Sequence, residues 1–102
     1  MSNVLQLRRP RRGARPEPLW REAVGDVLRE ERADRAERIV DVAARAGVAP
    51  QYLSEIERGR KDPSSEVLAA VCGALDLTVR EVATRAGATM ARGAGGPVCL
   101  AA

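Results

Sequence analysis

The sequence predicts an all-α fold: one compact domain of five helices over residues 19–87, between an arginine-rich arm at 1–18 and a glycine- and alanine-rich tail at 88–102. Two observations predict it. Apolar residues recur at three- and four-residue intervals, the spacing that gives a helix one buried stripe. Proline, glycine and small polar residues stand where helices start and stop. A length of 102 residues fits one small domain with tails.

The arm holds three prolines and five arginines, Arg8, Arg9, Arg11, Arg12 and Arg15, and reads as disordered. Helix one begins near Leu19, after Pro18, and Trp20, Ala23, Val24, Val27 and Leu28 form its apolar stripe. Its end is not marked, because residues 29–38 contain neither Gly nor Pro. Asp34 is the only cap candidate there for helix two, which runs from about Ala36 to Ala46. Without another signal, one long helix is also consistent with this stretch. Helix three starts near Pro50, a residue suited to a first helical turn, and ends at Gly59. Ser64 caps helix four, Glu66 favours its dipole, and Val67, Leu68, Val71, Cys72 and Leu75 form its apolar face. Thr78 and Glu81 make a capping box, with Leu77 and Val82 as hydrophobic staple, opening a short helix five that ends at Gly87.

Residues 39–58, IVDVAARAGVAPQYLSEIER, have the pattern of a helix-turn-helix, the unit that sets its second helix into the DNA major groove. Ala43 is small where the two helices cross. Gly47 stands where the chain turns sharply, and glycine takes positive φ at little cost. Val42, Ala46, Val48, Leu53 and Ile56 lock the second helix onto the first, while Gln51, Ser54, Glu55 and Arg58 point the other way. The plainer reading is two amphipathic helices joined by a glycine turn. The charge pattern favours the first. The formal net charge is +3, but the five arm arginines mask a domain and tail carrying twelve basic and all fourteen acidic residues. A cationic arm beside a helix-turn-helix suits phosphate contact or minor-groove entry.

Composition narrows the alternatives. The chain has no histidine, which removes Ser-His and Cys-His nucleophiles and argues against zinc. It has no glycine-rich phosphate loop, so no enzyme, cofactor or metal is expected. No apolar run is long enough to span a membrane. No secretory signal is recognisable, and a cytoplasmic location follows as the expectation. Cys72 reads as a small core residue and Cys99 as a free thiol in the tail; their spacing requires no disulfide. With no Phe, the core must come from Leu, Val, Ile and Ala.

YLSEIERG at 52–59, followed by RKDPSSEVLAAVCGALDL at 60–77, resembles the Xre (Cro/C1-type) helix-turn-helix regulators over residues 19–86. Within that family, REAVGDVLRE at 21–30, YLSEIERGRKDPSSEVLAA at 52–70 and the terminal LAA resemble the actinobacterial regulators of Clp-protease genes, the ClgR type. The resemblance implies a lambda-repressor-like five-helix domain, a homodimer, and a palindromic operator in double-stranded DNA. It also implies a break between helices one and two near Ala33–Glu37. This chain departs from the common pattern there: it lacks the usual turn glycine and has Arg38 where Ser or Thr often caps helix two.

Carried over by position, Pro50, Gln51, Ser54 and Glu55 would read bases. The chemistry agrees, since Gln can bond adenine bidentately and Glu accepts from the cytosine amino group. Arg58, Arg60, Lys61 and Arg38 suit phosphates. Tyr52 suits either a phosphate bond or packing at the domain edge. The resemblance further implies an ion pair between Glu57 and an arginine of helix one, for which Arg29 is the matching position. The end Leu100, Ala101, Ala102 resembles the degradation signals that Clp-type proteases recognise. The function expected is an activator of Clp protease and chaperone genes, with RNA polymerase and Clp protease as further partners and the nucleoid as its place. A repressor or antitoxin of the same fold is the alternative within the class, and an adaptor that does not read DNA the alternative outside it.

Overall fold

The computed structural model describes residues 17–93, and over these it contains five α-helices and no strand. Helix α1 spans Trp20–Asp34, α2 Ile39–Ala46, α3 Pro50–Glu57, α4 Ser65–Ala74 and α5 Val79–Gly93. Helix α1 packs on α3 and α5, and α2 packs on α3 and α4. One core joins all five: Ala23, Val24, Val27 and Leu28 of α1, Val42 and Ala43 of α2, Leu53 and Ile56 of α3, Val71 and Cys72 of α4, Leu75 just after it, and Val82 and Ala86 of α5. Apart from Cys72 the buried core is aliphatic, in keeping with a chain that has no Phe.

Local chemistry accounts for most of the boundaries. Glu22 reaches back to accept from the Leu19 N–H at 2.9 Å, which satisfies one of the orphan donors at the start of α1. Pro50 is the first residue of α3, where a missing N–H costs nothing. Ser64 Oγ accepts from the Val67 N–H at 3.2 Å and caps α4. Thr78 and Glu81 exchange reciprocal bonds, Glu81 N–H to Thr78 Oγ1 at 2.9 Å and Thr78 N–H to Glu81 Oε1 at 2.7 Å.

Four expectations need correction. Helix two begins at Ile39, not Ala36, and Asp34 is the last residue of α1 rather than a cap. Ala36 takes the left-handed conformation (φ 55°), and the N–H groups of Ala36 and Glu37 close α1 onto the Ala33 and Arg32 carbonyls. An L-residue there costs roughly 1–2 kcal/mol, and tertiary bonds offset it. Arg32 Nη1 donates to the Glu37 carbonyl at 3.1 Å, Arg35 pairs with Asp76 at 2.7 Å, and Arg45 pairs with Glu37 while donating to the Ala74 carbonyl. Arg38 flanks α2 without a side-chain cap bond. Trp20 is 43% exposed rather than part of the buried stripe, because it opens α1 at the domain edge and the core is first reached one turn later, at Ala23 and Val24. Helix α5 does not stop at Gly87 but runs to Gly93, so the first part of the expected tail is helical. Met90 packs against the core and Gly93 abuts Pro18, which carries the helix past the glycine.

Candidate nucleic-acid interface

Helix α3 has two sharply different faces. Leu53, Ile56 and Glu57 are buried, whereas Pro50, Gln51 and Arg58 are exposed and Ser54 and Glu55 are partly so. Helical spacing places Gln51 and Glu55 one turn apart on one edge, and Pro50, Ser54 and Arg58 along the edge beside it. The helix is held at both ends. Upstream, Gly47 (φ 75°) turns the chain out of α2, with the Val48 N–H donating to the Ala43 carbonyl at 3.0 Å. Downstream, Gly59 (φ 75°) completes a paired cap: Gly59 N–H donates to the Ile56 carbonyl at 3.0 Å and Arg60 N–H to the Glu55 carbonyl at 2.9 Å.

The cations after the helix lie beside the candidate readers. Arg58 Nη2 donates to Ser54 Oγ at 3.0 Å, and Lys61 Nζ sits 3.7 Å from Glu55 Oε1. Arg60 and Gln51 are both exposed. The structure therefore groups Pro50, Gln51, Ser54, Glu55, Arg58 and Lys61 on and just after one helix. Arg38 flanks the start of α2 and pairs with Asp41 at 3.2 Å, a contact that raises its guanidinium pKa above the usual arginine range. Tyr52 is half-buried and packs against the core. The arm arginines Arg8, Arg9, Arg11, Arg12 and Arg15, together with Cys99 and Leu100, Ala101 and Ala102, lie outside the described residues.

The expected Arg29–Glu57 pair is not formed. Arg29 is exposed and bonds Asp26 on its own helix at 3.0 Å. Arg32 takes the place, donating from Nε and Nη2 to the two Glu57 oxygens at 2.7 and 2.9 Å. Glu57 is 5% exposed and Arg32 21%. Bonding to the carboxylate raises the Arg32 pKa. The helical register carries the signal: from the buried Val24 and Leu28, four-residue steps reach Arg32, whereas Arg29 falls on the solvent side. Sequence reasoning also missed Arg21 and Gly25. Arg21 Nε donates to the Gly59 carbonyl at 3.0 Å. Gly25 lies so close under α3 that a Cβ there would overlap the Ile56 carbonyl oxygen and stand 2.7 Å from that of Glu57.

This surface is a ridge with a cationic rim, a shape that enters a groove rather than enclosing a small molecule. A separate open cavity of about 620 Å³ is lined by Arg35, Glu37, Arg45, Asp76 and the small residues of α4. None of the predicted site residues borders it. No group of His, Cys, Asp and Glu that could hold a metal occurs among the described residues, and none of their helices is long and apolar enough to cross a membrane.

The helix-turn-helix family model matches residues 28–87. The transcriptional regulator ClgR of Mycobacterium tuberculosis is 53% identical over 74 residues, which cover 72% of this chain and 66%, just under two thirds, of that protein. The crystal structure of the clp gene regulator ClgR from Corynebacterium glutamicum superposes with a TM-score of 0.75 at 50% identity, covering 78% of this chain and 85% of that one. The restriction-modification controller protein C.Esp1396I, solved as a tetramer with its 35-base-pair operator, shares the fold with a TM-score of 0.65 at 18% identity, covering 72% of this chain and 97% of that one.

Proposed function

The chain belongs to the Xre-type helix-turn-helix family of transcriptional regulators, and we propose that it is a homodimeric, sequence-specific activator of Clp protease and chaperone genes. The observation that carries this reading is the polar face of α3, with Gln51 and Glu55 one turn apart on a helix whose opposite face is locked into the core. The likeness to ClgR regulators from two genera supports the choice of target genes.

In this reading α3 lies in the major groove. Gln51 offers a donor and an acceptor to adenine, Glu55 accepts from a cytosine amino group, and Ser54 and Pro50 complete the edge. Arg58, Arg60 and Lys61 leave the end of α3 and neutralise phosphates, which fixes register without reading sequence. Arg38 and Tyr52 contribute backbone contacts from the flanks, and the arm arginines add affinity that carries no sequence information. Lys61 and Arg58 must release Glu55 and Ser54 to reach phosphates, and that exchange frees both readers. An exposed ion pair is worth at most about 1 kcal/mol, so the exchange is cheap. A two-fold dimer would place two α3 helices in successive major grooves of a palindrome. RNA polymerase and a Clp protease are the protein partners the reading implies, and the bacterial nucleoid its location.

The test is fluorescence anisotropy on a Clp-gene promoter fragment and a scrambled duplex across a salt series. Tight binding to the promoter alone is expected. Equal, steeply salt-dependent binding to both would leave a DNA-binding protein with other targets. Absence of binding to either would overturn the reading in favour of a protein-interaction role.

A further inference from the structure

We infer that Arg21 of α1 is a positioning residue for DNA binding: through the Gly59 carbonyl it orients the peptide that carries Arg60 toward the phosphate backbone. The inference rests on the reading of Arg58, Arg60 and Lys61 as phosphate contacts.

The peptide unit between Gly59 and Arg60 is held from two sides. Its N–H donates to the Glu55 carbonyl at 2.9 Å, which ties it to α3. Its C=O accepts from Arg21 Nε at 3.0 Å, which ties it to α1 across 38 residues of sequence. Two bonds on opposite edges of one plane fix its rotation, and the direction in which the Arg60 side chain leaves follows from that rotation. The surroundings allow little slack. Gly59 is buried, and a Cβ there would stand 2.9 Å from Glu22 Cα, so α1 presses directly on this turn. One helical turn on, Gly25 lies against the carbonyls of Ile56 and Glu57. Helix α1 is therefore the platform for the exit of α3, and Arg21 is the side chain on it that bonds the exit peptide itself. Without Arg21 the cap bonds from Gly59 and Arg60 to α3 carbonyls can still form, but the Arg60 bond then holds its peptide from one edge only and opens more often. The Gly59 carbonyl turns to water, the peptide can rotate, and Arg60 no longer leaves in one direction.

A positioning role has a signature that a structural role and a direct phosphate contact both lack. Binding to the promoter duplex would be measured against salt for wild type, Arg21→Met, Arg60→Gln and the double variant. In the proposed dimer a substitution removes one phosphate contact from each protomer, which lowers the salt slope by about 1.8, roughly a sixtyfold weaker affinity at about 0.1 M salt when scaled to 1 M. Arg21→Met is expected to show this loss, Arg60→Gln the same loss, and the double variant no more than either alone. The promoter-to-scrambled ratio should hold in Arg21→Met. Its Arg60 amide should exchange with solvent faster than in wild type without DNA present, and Arg21→Lys should recover part of the slope. Losses that add in the double variant would show Arg21 touching a phosphate itself and overturn the inference. An unchanged slope and unchanged amide exchange in Arg21→Met would also overturn it. Arg60→Gln without effect on the slope would instead overturn the reading of the loop on which the inference rests.

Discussion

Replacing Glu57 by Gln tests the joint between the reading helix and the rest of the domain. The carboxylate is 5% exposed and accepts two bonds from Arg32, at 2.7 and 2.9 Å, and Arg32 is itself only 21% exposed. Gln keeps the shape but can offer one acceptor where two were used, and it carries no charge. Arg32 is left partly buried and charged, with one bond to the Gln oxygen and one to the Glu37 carbonyl and no counter-charge at that position. Breaking a buried pair on one side costs about 3–5 kcal/mol. Because Arg32 keeps some solvent, the lower end applies, about 3 kcal/mol. At roughly 4–8 °C per kcal/mol for a domain of this size, the Tm should fall by about 12–24 °C. Arg29→Met is the control. Its partner Asp26 and its own side chain are both about half exposed, so the loss stays below about 1 kcal/mol. The double variant Arg32→Met with Glu57→Met should melt above Arg32→Met alone, because it leaves no unpaired buried charge. Thermal melts by circular dichroism would decide. A Glu57→Gln Tm unchanged from wild type, or Arg29→Met costing more than Arg32→Met, would show that the Arg32–Glu57 pair does not hold α3 to α1.

Gly25→Ala should destabilise by about 2–3 kcal/mol or more, because the new methyl meets backbone oxygens that cannot move without shifting α3. Gly47→Ala has open space around it and should cost only the roughly 1–2 kcal/mol of its left-handed φ; equal losses in urea melts would contradict the distinction. Ser64→Ala should cost about 1 kcal/mol through loss of the α4 cap, checked in the same melts. Burial, with the Glu81 charge, pushes the Cys72 thiol above its usual range. The folded chain then holds that proton more tightly than the unfolded one. The stability this provides is complete below the unfolded thiol's pKa and is lost as pH rises through the folded value. The drop in Tm between pH 7 and about 10 should therefore be smaller in Cys72→Ala than in wild type; an identical drop would exclude the thiol as its source.

Where one residue and its near neighbours suffice, the sequence was legible. Gly47 and Gly59 end their helices because both need positive φ, and Ser64 with Val67 and Thr78 with Glu81 cap theirs over three residues. The break after α1, which the family resemblance implied, was hidden from local chemistry because Ala36 has no local reason to be left-handed. Its reasons are Arg32, Arg35 and Arg45, whose partners Glu37, Asp76 and Ala74 come together only in the folded chain. The continuation of α5 past Gly87 was hidden similarly, since contacts by Met90 and Pro18 outweigh a glycine's helix penalty of roughly 1 kcal/mol. At the site, the exposed edge of α3 followed from periodicity. The platform beneath it did not, because Arg21 and Gly25 act on backbone carbonyls and leave no pattern in spacing.

Whether α3 reads bases through Gln51 and Glu55 is decided by the ratio of promoter to scrambled-duplex affinity in the Gln51→Ala, Glu55→Ala double variant. Both side chains face solvent at least in part, so the fold should stand. Each good base contact is worth about 1–3 kcal/mol of discrimination and the dimer loses two from each protomer, so the ratio should fall by roughly three orders of magnitude or more, toward unity, while binding to scrambled DNA stays near wild type. A ratio equal to wild type, in a variant that melts normally, would contradict the account.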